Sequence, residues 1–289
     1  MKSLFACIAA AITLAACATT VGQPAAGPDP ALAQAIASPD RSAAFRERDR
    51  YRHPQETLSF FGLQPGQTVV EIWPGLGWYA EILAPYLREH GRYIAAGYVV
   101  SDASSPQWRR DDAAALAAKF AAAPQRYDRA VVTELGLPDR WQMAPAGSAD
   151  LVLTFRNFHN WLKGGYDREM VAAAYRALKP GGVFGVVDHR ASPGTSVERM
   201  QQSGYVTEDY VVQLVESVGF KLQARAEINA NPRDSKDYPK GVWTLPPTLA
   251  LGETDRQKYL EIGESDRMTL RFVKPLLVAP AAAGASVAP

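Results

Sequence analysis

The sequence predicts an α/β protein with a seven-stranded, mainly parallel sheet and helices on both faces. Short apolar runs alternate with helical patterns, and turn residues separate them. In the most informative stretch, Val69 to Tyr79, an apolar run containing an acid is followed by a glycine turn and the start of a helical pattern. Open α/β sheets use this arrangement to hold a nucleotide-like ligand at their carboxyl edge. A purely structural turn is the alternative.

The order of the predicted elements supports this fold. The predicted strands are 69–72, 91–97, 129–133, 151–155, 183–188, 220–228 and 269–273. The predicted helices are 40–61 with a break at Pro54, 78–89, 106–123, 167–178 and 207–218. The irregular stretch from Asn229 to Gly263 is long enough to be a substrate lid. Disorder is its alternative, although Trp243 indicates that part of it packs.

Composition sets limits on the function. The 289 residues are 47% hydrophobic and 21% charged, with a net charge of +1. These are ordinary values for a globular protein, and they offer no basic surface for nucleic acid. We therefore expect a small-molecule partner and no nucleic acid, with an unknown oligomeric state. The folded part, predicted as residues 37–278, has the size of one domain.

The amino terminus resembles an exported lipoprotein. Residues 1–17 are predicted to be a signal peptide, and Leu14-Ala15-Ala16-Cys17 resembles a bacterial lipobox. The resemblance implies lipidation of Cys17 and, because Ala18 follows, a periplasmic protein anchored to the outer membrane. An ordinary secretory signal is the alternative. Residues 18–36 are predicted to be a flexible tether and residues 279–289 a disordered tail.

Three motifs resemble those of the class I S-adenosylmethionine (SAM)-dependent methyltransferases. They are Glu71-Ile72-x-x-Gly75-x-Gly77, Gly147-Ser148-Ala149-Asp150-Leu151-Val152 and Leu178-Lys179-Pro180-Gly181-Gly182. Trp73-Pro74, Trp78-Tyr79 and the segment Arg156 to Trp161 are similar to an exported subgroup of predicted methyltransferases. The resemblance implies a Rossmann-like sheet and SAM as the cofactor.

The resemblance also implies roles for residues of the first motif. Gly75 and Gly77 would approach the amino-acid end of SAM, and Glu71 would orient their turn. Capping of the turn's amides is the alternative for Glu71. Trp73 stands where the family usually has glycine, so its indole would crowd the approaching ligand unless it turns away.

The second strand departs from the family pattern as well. The family usually places an acid at its end, where a carboxylate binds both ribose hydroxyls. Gly97 occupies that position here, and Asp102 is the nearby substitute. Loss of such charge-assisted hydrogen bonds costs about 1.5–3 kcal/mol each.

Polar residues follow the predicted fourth strand, where a ligand of an open sheet would lie. His159 is the candidate general base for a hydroxyl, amine or thiol acceptor, and Asp188 would orient it or take its proton. Arg156 would bind an anionic group of the substrate or of SAM, and Asn157 would contact the cofactor. A buried structural network is the alternative for this predicted loop.

These observations predict a SAM-dependent methyltransferase acting on a small molecule in the cell envelope. The four histidines show no recognisable metal spacing, so we expect no metal. A ligand-binding lipoprotein that has lost the reaction is the main alternative, and a structural scaffold is another. Because SAM is made in the cytoplasm, an exported methyltransferase would need SAM to reach its compartment.

Overall fold

The computed structural model describes residues 29–276. The predicted signal peptide, Cys17, most of the tether and the carboxyl-terminal tail lie outside these residues. Within them, no helix is both long enough and apolar enough to cross a membrane.

Seven strands form one sheet, as predicted. They are β1 (Thr68–Ile72), β2 (Arg92–Tyr98), β3 (Val131–Leu135), β4 (Ala149–Phe155), β5 (Leu178–His189), β6 (Lys221–Ala226) and β7 (Arg267–Val273). Their order across the sheet is β3-β2-β1-β4-β5-β7-β6. β1 to β5 are parallel to one another, and β7 runs antiparallel between β5 and β6. The chain thus winds outward in both directions from β1 and β4, and a crevice opens at their carboxyl ends.

Helices cover both faces of the sheet. The helices are α1 (Pro30–Ala37), α2 (Ala43–Arg46), α3 (Asp49–Arg52), α4 (Pro54–Phe60), α5 (Ala80–Leu87), α6 (Gln107–Ala122), α7 (Pro124–Tyr127), α8 (Phe158–Gly164), α9 (Asp167–Ala177), α10 (Val197–Ser203), α11 (Glu208–Ser217) and α12 (Arg256–Ile262). One hydrophobic cluster joins the sheet to α8, α9 and α11, and another joins it to α1, α4 and α5. The sheet is therefore buried between two helical layers.

The predicted tether extends too far toward the domain. Residues 30–36 belong to α1, which begins with a proline after an Asp29 cap. Leu32 of this helix is buried against the sheet's helical layer. Ordered structure therefore begins before residue 37, because an apolar side chain and a cap fix the helix to the domain.

Two further segments differ from the predictions. The single helix predicted over 40–61 is three short helices, α2 to α4, and the predicted break occurs at His53, whose φ is 41°. The segment predicted as a loop after β4 becomes α8 from Phe158 onward. Asn157 stands at the amino-terminal cap position of this short helix, so the polar run is a helix start and not an irregular loop.

The irregular stretch 229–263 is largely packed. It contains a 3₁₀ turn (Gly241–Thr244) and α12, and its apolar residues form a small hydrophobic cluster with Ala191 and Tyr205. Trp243 lies on this cluster and also faces the crevice. The prediction that this tryptophan packs is confirmed.

Candidate functional site

A cavity of about 730 Å³ lies at the carboxyl ends of β1 and β4. Its walls come from the residues after these strands, from the helices α2 and α3, from α6, and from residues 242–248 of the irregular stretch. The volume falls within the usual range for small-molecule sites. The sheet topology therefore places a ligand-sized space where the sequence predicted one.

The first residue after each of the two central strands has a left-handed backbone. Trp73 follows β1 with a φ of 49°, and Arg156 follows β4 with a φ of 61°. This conformation costs a residue other than glycine about 1–2 kcal/mol. Strain of this kind concentrates at functional sites, and both side chains line the cavity.

His159 and Asp188 form a buried pair at the cavity. The His159 Nδ1 atom lies 2.9 Å from Asp188 Oδ1, and the His159 backbone N–H donates to Asp188 Oδ2 at 3.2 Å. Asp188 is fully buried at the end of β5, whereas His159 lines the cavity. The carboxylate thus fixes the imidazole ring and leaves Nε2 as its free nitrogen. The predicted general base and the acid predicted to orient it are therefore in direct contact.

His189 lies beside this pair. Its ring centre is 5.0 Å from that of His159, and its Nδ1 lies 2.6 Å from Ser265 Oγ. Burial lowers the pKa of His189 well below its ordinary value, and His159 and nearby arginines add to the effect. The ring is therefore neutral at physiological pH.

Possible metal ligands also meet here. One ligand atom from each of His159, Asp188 and His189 lies within 4.8 Å of the others. Spacing along the sequence does not indicate this group, because its residues come from α8 and from the end of β5. However, Asp188 already accepts hydrogen bonds from both histidine segments, and the surrounding arginines disfavour a cation. The absence of a metal stays a prediction.

Glu71 lines the cavity, but the hydrogen bond that its side chain accepts comes from a neighbouring strand and not from the glycine turn. Its side chain is buried, and Oε2 accepts a hydrogen bond of 2.6 Å from the Tyr93 hydroxyl. Burial raises the pKa of Glu71 to about 7, although Tyr93 and Arg52 oppose this effect. Period-two geometry explains the difference, because Glu71 points to the opposite face of β1 from Val70 and Ile72.

Asn157 joins the ends of β4 and β1. Its Nδ2 donates to the Ile72 carbonyl at 2.9 Å and lies 3.5 Å from that of Trp73. The amide therefore holds the strained backbone of Trp73 in place. Asn157 lines the cavity, but its amide Nδ2 donates to a backbone carbonyl at the end of β1 and not into the cavity.

The Trp73 indole points across the end of β2. Its Nε1–H donates to the Leu135 carbonyl at the end of β3, at 2.9 Å. The ring lies 4.9 Å from the Tyr98 ring, and the Arg109 guanidinium lies 5.0 Å from its centre. The indole is thus anchored at one side of the cavity and forms part of its wall.

The two glycines of the turn have different surroundings. Gly75 has a φ of 56° and lines the cavity, where an added Cβ would meet only Asp112 Oδ2, at 3.9 Å. At Gly77 an added Cβ would lie 2.7 Å from the Leu116 side chain of α6. The predicted ligand contact is therefore possible at Gly75. Gly77 instead allows the turn to pack against α6, and it does not line the cavity.

Asp102 is not part of this cavity. Its carboxylate accepts hydrogen bonds from the Ser104 backbone and hydroxyl groups, in a surface turn. The sequence instead missed Asp112, which reaches the cavity from α6. Burial raises the pKa of Asp112, and Asp111 adds to this effect. The sequence pattern gave no signal for Asp112, because it stands next to Asp111 in α6 and no local feature distinguishes the two.

Comparisons with known proteins support the fold. No protein-family model matches the sequence, and no curated protein matches it. A SAM-dependent methyltransferase from Aquifex aeolicus is similar in structure, with a TM-score of 0.50, 15% identity, and coverage of 79% of this chain and 93% of that one.

Two further solved structures show the same likeness. An arsenic(III) SAM methyltransferase from Chlamydomonas reinhardtii has a TM-score of 0.50 and 14% identity, with 88% of this chain and 75% of that one covered. A putative sarcosine dimethylglycine methyltransferase from Galdieria sulphuraria has a TM-score of 0.50 and 14% identity, with 82% and 87% covered. At these identities the likeness establishes the Rossmann-like methyltransferase fold.

Proposed function

We propose that the chain is a SAM-dependent methyltransferase acting on a small-molecule acceptor in the cell envelope. The observation that carries the proposal is the His159–Asp188 pair beside the glycine turn of β1, in one ligand-sized cavity. The fold of solved SAM-dependent methyltransferases supports it. A scaffold alone would not need a carboxylate-oriented imidazole at this place.

The residues at the cavity fit SAM when one role is reassigned. Gly75 leaves open space beside the turn, so the amino-acid end of the cofactor can approach the backbone there. Gly97 supplies no carboxylate for the ribose, but Asp112 lines the same cavity next to Gly75. Asp112 thus takes the place predicted for Asp102. When bound, SAM supplies an electrophilic methyl group.

The chain's own residues would bind, orient and deprotonate the acceptor. Holding the acceptor's nucleophilic atom in line with the methyl group supplies much of the rate enhancement. His159 Nε2 takes the proton that the acceptor's hydroxyl, amine or thiol loses, and Asp188 stabilises the resulting imidazolium. Positioning and one general base are therefore the chemistry that the site provides.

The proposed location depends on residues outside the described part of the chain. Cys17 would carry the lipid, and the protein would lie in the periplasm at the outer membrane. Replacement of Cys17 by serine should move the protein from the membrane fraction to the soluble fraction after cell disruption. A wild-type protein already found in the soluble fraction would contradict the anchor and leave the proposed reaction unaffected.

Calorimetric titration of SAM into the full chain tests the proposed activity. We expect saturable binding in the micromolar range, and we expect Gly75→Arg to abolish it by filling the cavity beside the turn. Gly147→Arg is the matched control, because Gly147 also has a positive φ (64°) and open space but lies outside the cavity. No binding at millimolar SAM would refute the methyltransferase and favour a ligand-binding lipoprotein.

A further inference from the structure

Three arginines line one wall of the cavity. Arg48 and Arg52 come from the segment of α2 and α3, and Arg156 follows β4. The Arg52 guanidinium lies 4.6 Å from the centre of the Trp78 indole, which fixes its position at the wall. Segments far apart in sequence therefore bring three guanidinium groups to one side of the proposed active site.

The carboxylate of Glu264 pairs with two of these arginines and with Arg267, and we call these four arginines the cluster. Glu264 accepts from Arg48 Nε at 2.6 Å, from Arg267 Nη1 at 3.0 Å and from Arg52 Nε at 3.5 Å. Arg156 forms no side-chain ion pair within residues 29–276. Glu264 thus faces four guanidinium groups, and Asp188 and Glu71 are the further carboxyl groups that act on Arg156 and Arg52. Because Glu71 has a pKa raised to about 7, four cations meet at most three anions, and the wall carries an excess of positive charge.

Buried donors of the cluster lack partners. Among the described residues, the Nη2 atoms of Arg48 and Arg52 are buried donors, and neither has a hydrogen-bond acceptor. Arg52 is only 3% exposed. An unsatisfied buried donor is costly, and more so when it is charged. Native proteins rarely tolerate two such donors side by side, so the wall is suited to an acceptor group from a ligand.

Burial also affects the ionisation of these side chains. It lowers the pKa of Arg156 to about 10 and lowers that of Arg52, and in both cases the charges of Arg48 and Arg267 add to the effect. Arg156 nevertheless stays protonated near neutral pH. A bound anion would relieve the repulsion, and guanidinium groups bind planar oxyanions through paired N–H donors.

We propose that Arg52, Arg156 and Arg48 bind an oxyanion, a carboxylate or phosphate group, of the methyl acceptor. This inference rests on the proposed methyltransferase function. SAM itself has one carboxylate against an ammonium and a sulfonium group, so its net charge is positive. A cationic wall beside a cationic cofactor requires an anion, and the acceptor is the component that can supply it. The acceptor is therefore an anionic small molecule whose reacting atom reaches His159.

Titration of the full chain with inorganic phosphate, and separately with acetate, tests this site. Tryptophan fluorescence serves as the readout, because Trp78 stacks on Arg52. Sodium chloride keeps the ionic strength constant and controls for general screening. We expect saturable binding of at least one oxyanion, and at least tenfold weaker binding in Arg156→Gln, which keeps a polar side chain and removes the charge.

Arg199→Gln is the matched control, because Arg199 is about half exposed and lies outside this cavity. We expect it to bind the oxyanion like the wild type. Circular dichroism checks that each variant is folded. Failure of both anions to bind, or equal binding by Arg156→Gln, overturns the inference.

SAM titrations with and without phosphate separate the two proposals. The inference predicts that phosphate leaves SAM binding unchanged or strengthens it. Competition between phosphate and SAM would assign the arginines to the cofactor's own carboxylate and overturn the anionic acceptor. If SAM does not bind while phosphate does, the methyltransferase function fails and the oxyanion site remains.

Discussion

The buried carboxyl group of Glu71 makes a quantitative prediction about stability. In the folded protein its pKa is about 7, against 4.5 for an unperturbed glutamate, because burial disfavours the charged form. A folded pKa above the unfolded one means that ionisation favours the unfolded chain. Stability from the protonated form is therefore fully present below about pH 4.5 and is lost as the pH rises through about 7.

Glu71→Gln removes this ionisation with little change in shape. The glutamine oxygen can still accept the hydrogen bond of the Tyr93 hydroxyl. A pKa difference of about 2.5, at about 1.4 kcal/mol for each pH unit, corresponds to about 3 kcal/mol at high pH. Between about pH 5 and about pH 8, we expect the free energy of unfolding of the variant, relative to wild type, to increase by about 2.5 kcal/mol.

Urea unfolding at these two pH values, followed by circular dichroism, measures the change. Taking the difference between variant and wild type cancels the other titrating groups. Glu89→Gln is the control, because Glu89 is exposed and its pairing with Arg88 is at the surface. A stability difference that is the same at both pH values would refute the raised pKa of Glu71.

Four further changes test the other assignments. Asp112→Asn should weaken SAM binding about tenfold or more, measured by calorimetry, since a charge-assisted hydrogen bond is lost. His159→Gln should lower kcat about 10²–10⁴-fold in a methyl-transfer assay and leave the Kd of SAM unchanged. Leu32→Ala should lower the free energy of unfolding by about 2–5 kcal/mol, measured with urea, because it empties a buried site. Trp73→Gly should lower it by about 2–4 kcal/mol in the same assay, since the lost indole packing exceeds the relieved backbone strain.

Each of these predictions has a contradicting result. Unchanged SAM binding by Asp112→Asn, with weaker binding by Asp102→Asn, would restore the sequence-based assignment. A His159→Gln variant of normal kcat would exclude His159 as the base. Normal stability of Leu32→Ala would place α1 outside the folded domain. A Trp73→Gly variant more stable than wild type would show that the backbone strain dominates.

The sheet could be predicted from the sequence because the patterns that indicate strands, helices and turns are local. Apolar runs of strand length alternate with helical patterns, and glycine or proline turns separate them, so the order of elements needs no knowledge of distant contacts. The same holds for the position of His159, which follows β4 directly. The rule that ligands bind at the carboxyl ends of parallel strands then places it at the site.

The side-chain partners could not be predicted in the same way. Glu71 was assigned to the turn that follows it, but its partner Tyr93 lies on the neighbouring strand. Asp112 reaches the cavity from the middle of α6, where nothing in the local pattern distinguishes it from Asp111. The interleaved basic and acidic residues over 46–52 are typical of a solvated helix face, yet Arg52 is buried. Such pairings are set by tertiary packing, on which spacing along the chain carries no information.

The residues after β1 and β4 connect the fold, the strain and the proposed chemistry. Glycine would adopt the left-handed conformation at both positions with the least strain, yet the chain has Trp73 and Arg156 there. Asn157 links the two turns through its hydrogen bond to the end of β1, so the strained conformations support each other. What a glycine would lack is the side chain: an indole anchored on Leu135 at one end of the cavity and a guanidinium at the other. The backbone strain at Trp73 and Arg156 therefore places two large side chains at the cavity, on either side of the space between the glycine turn and His159.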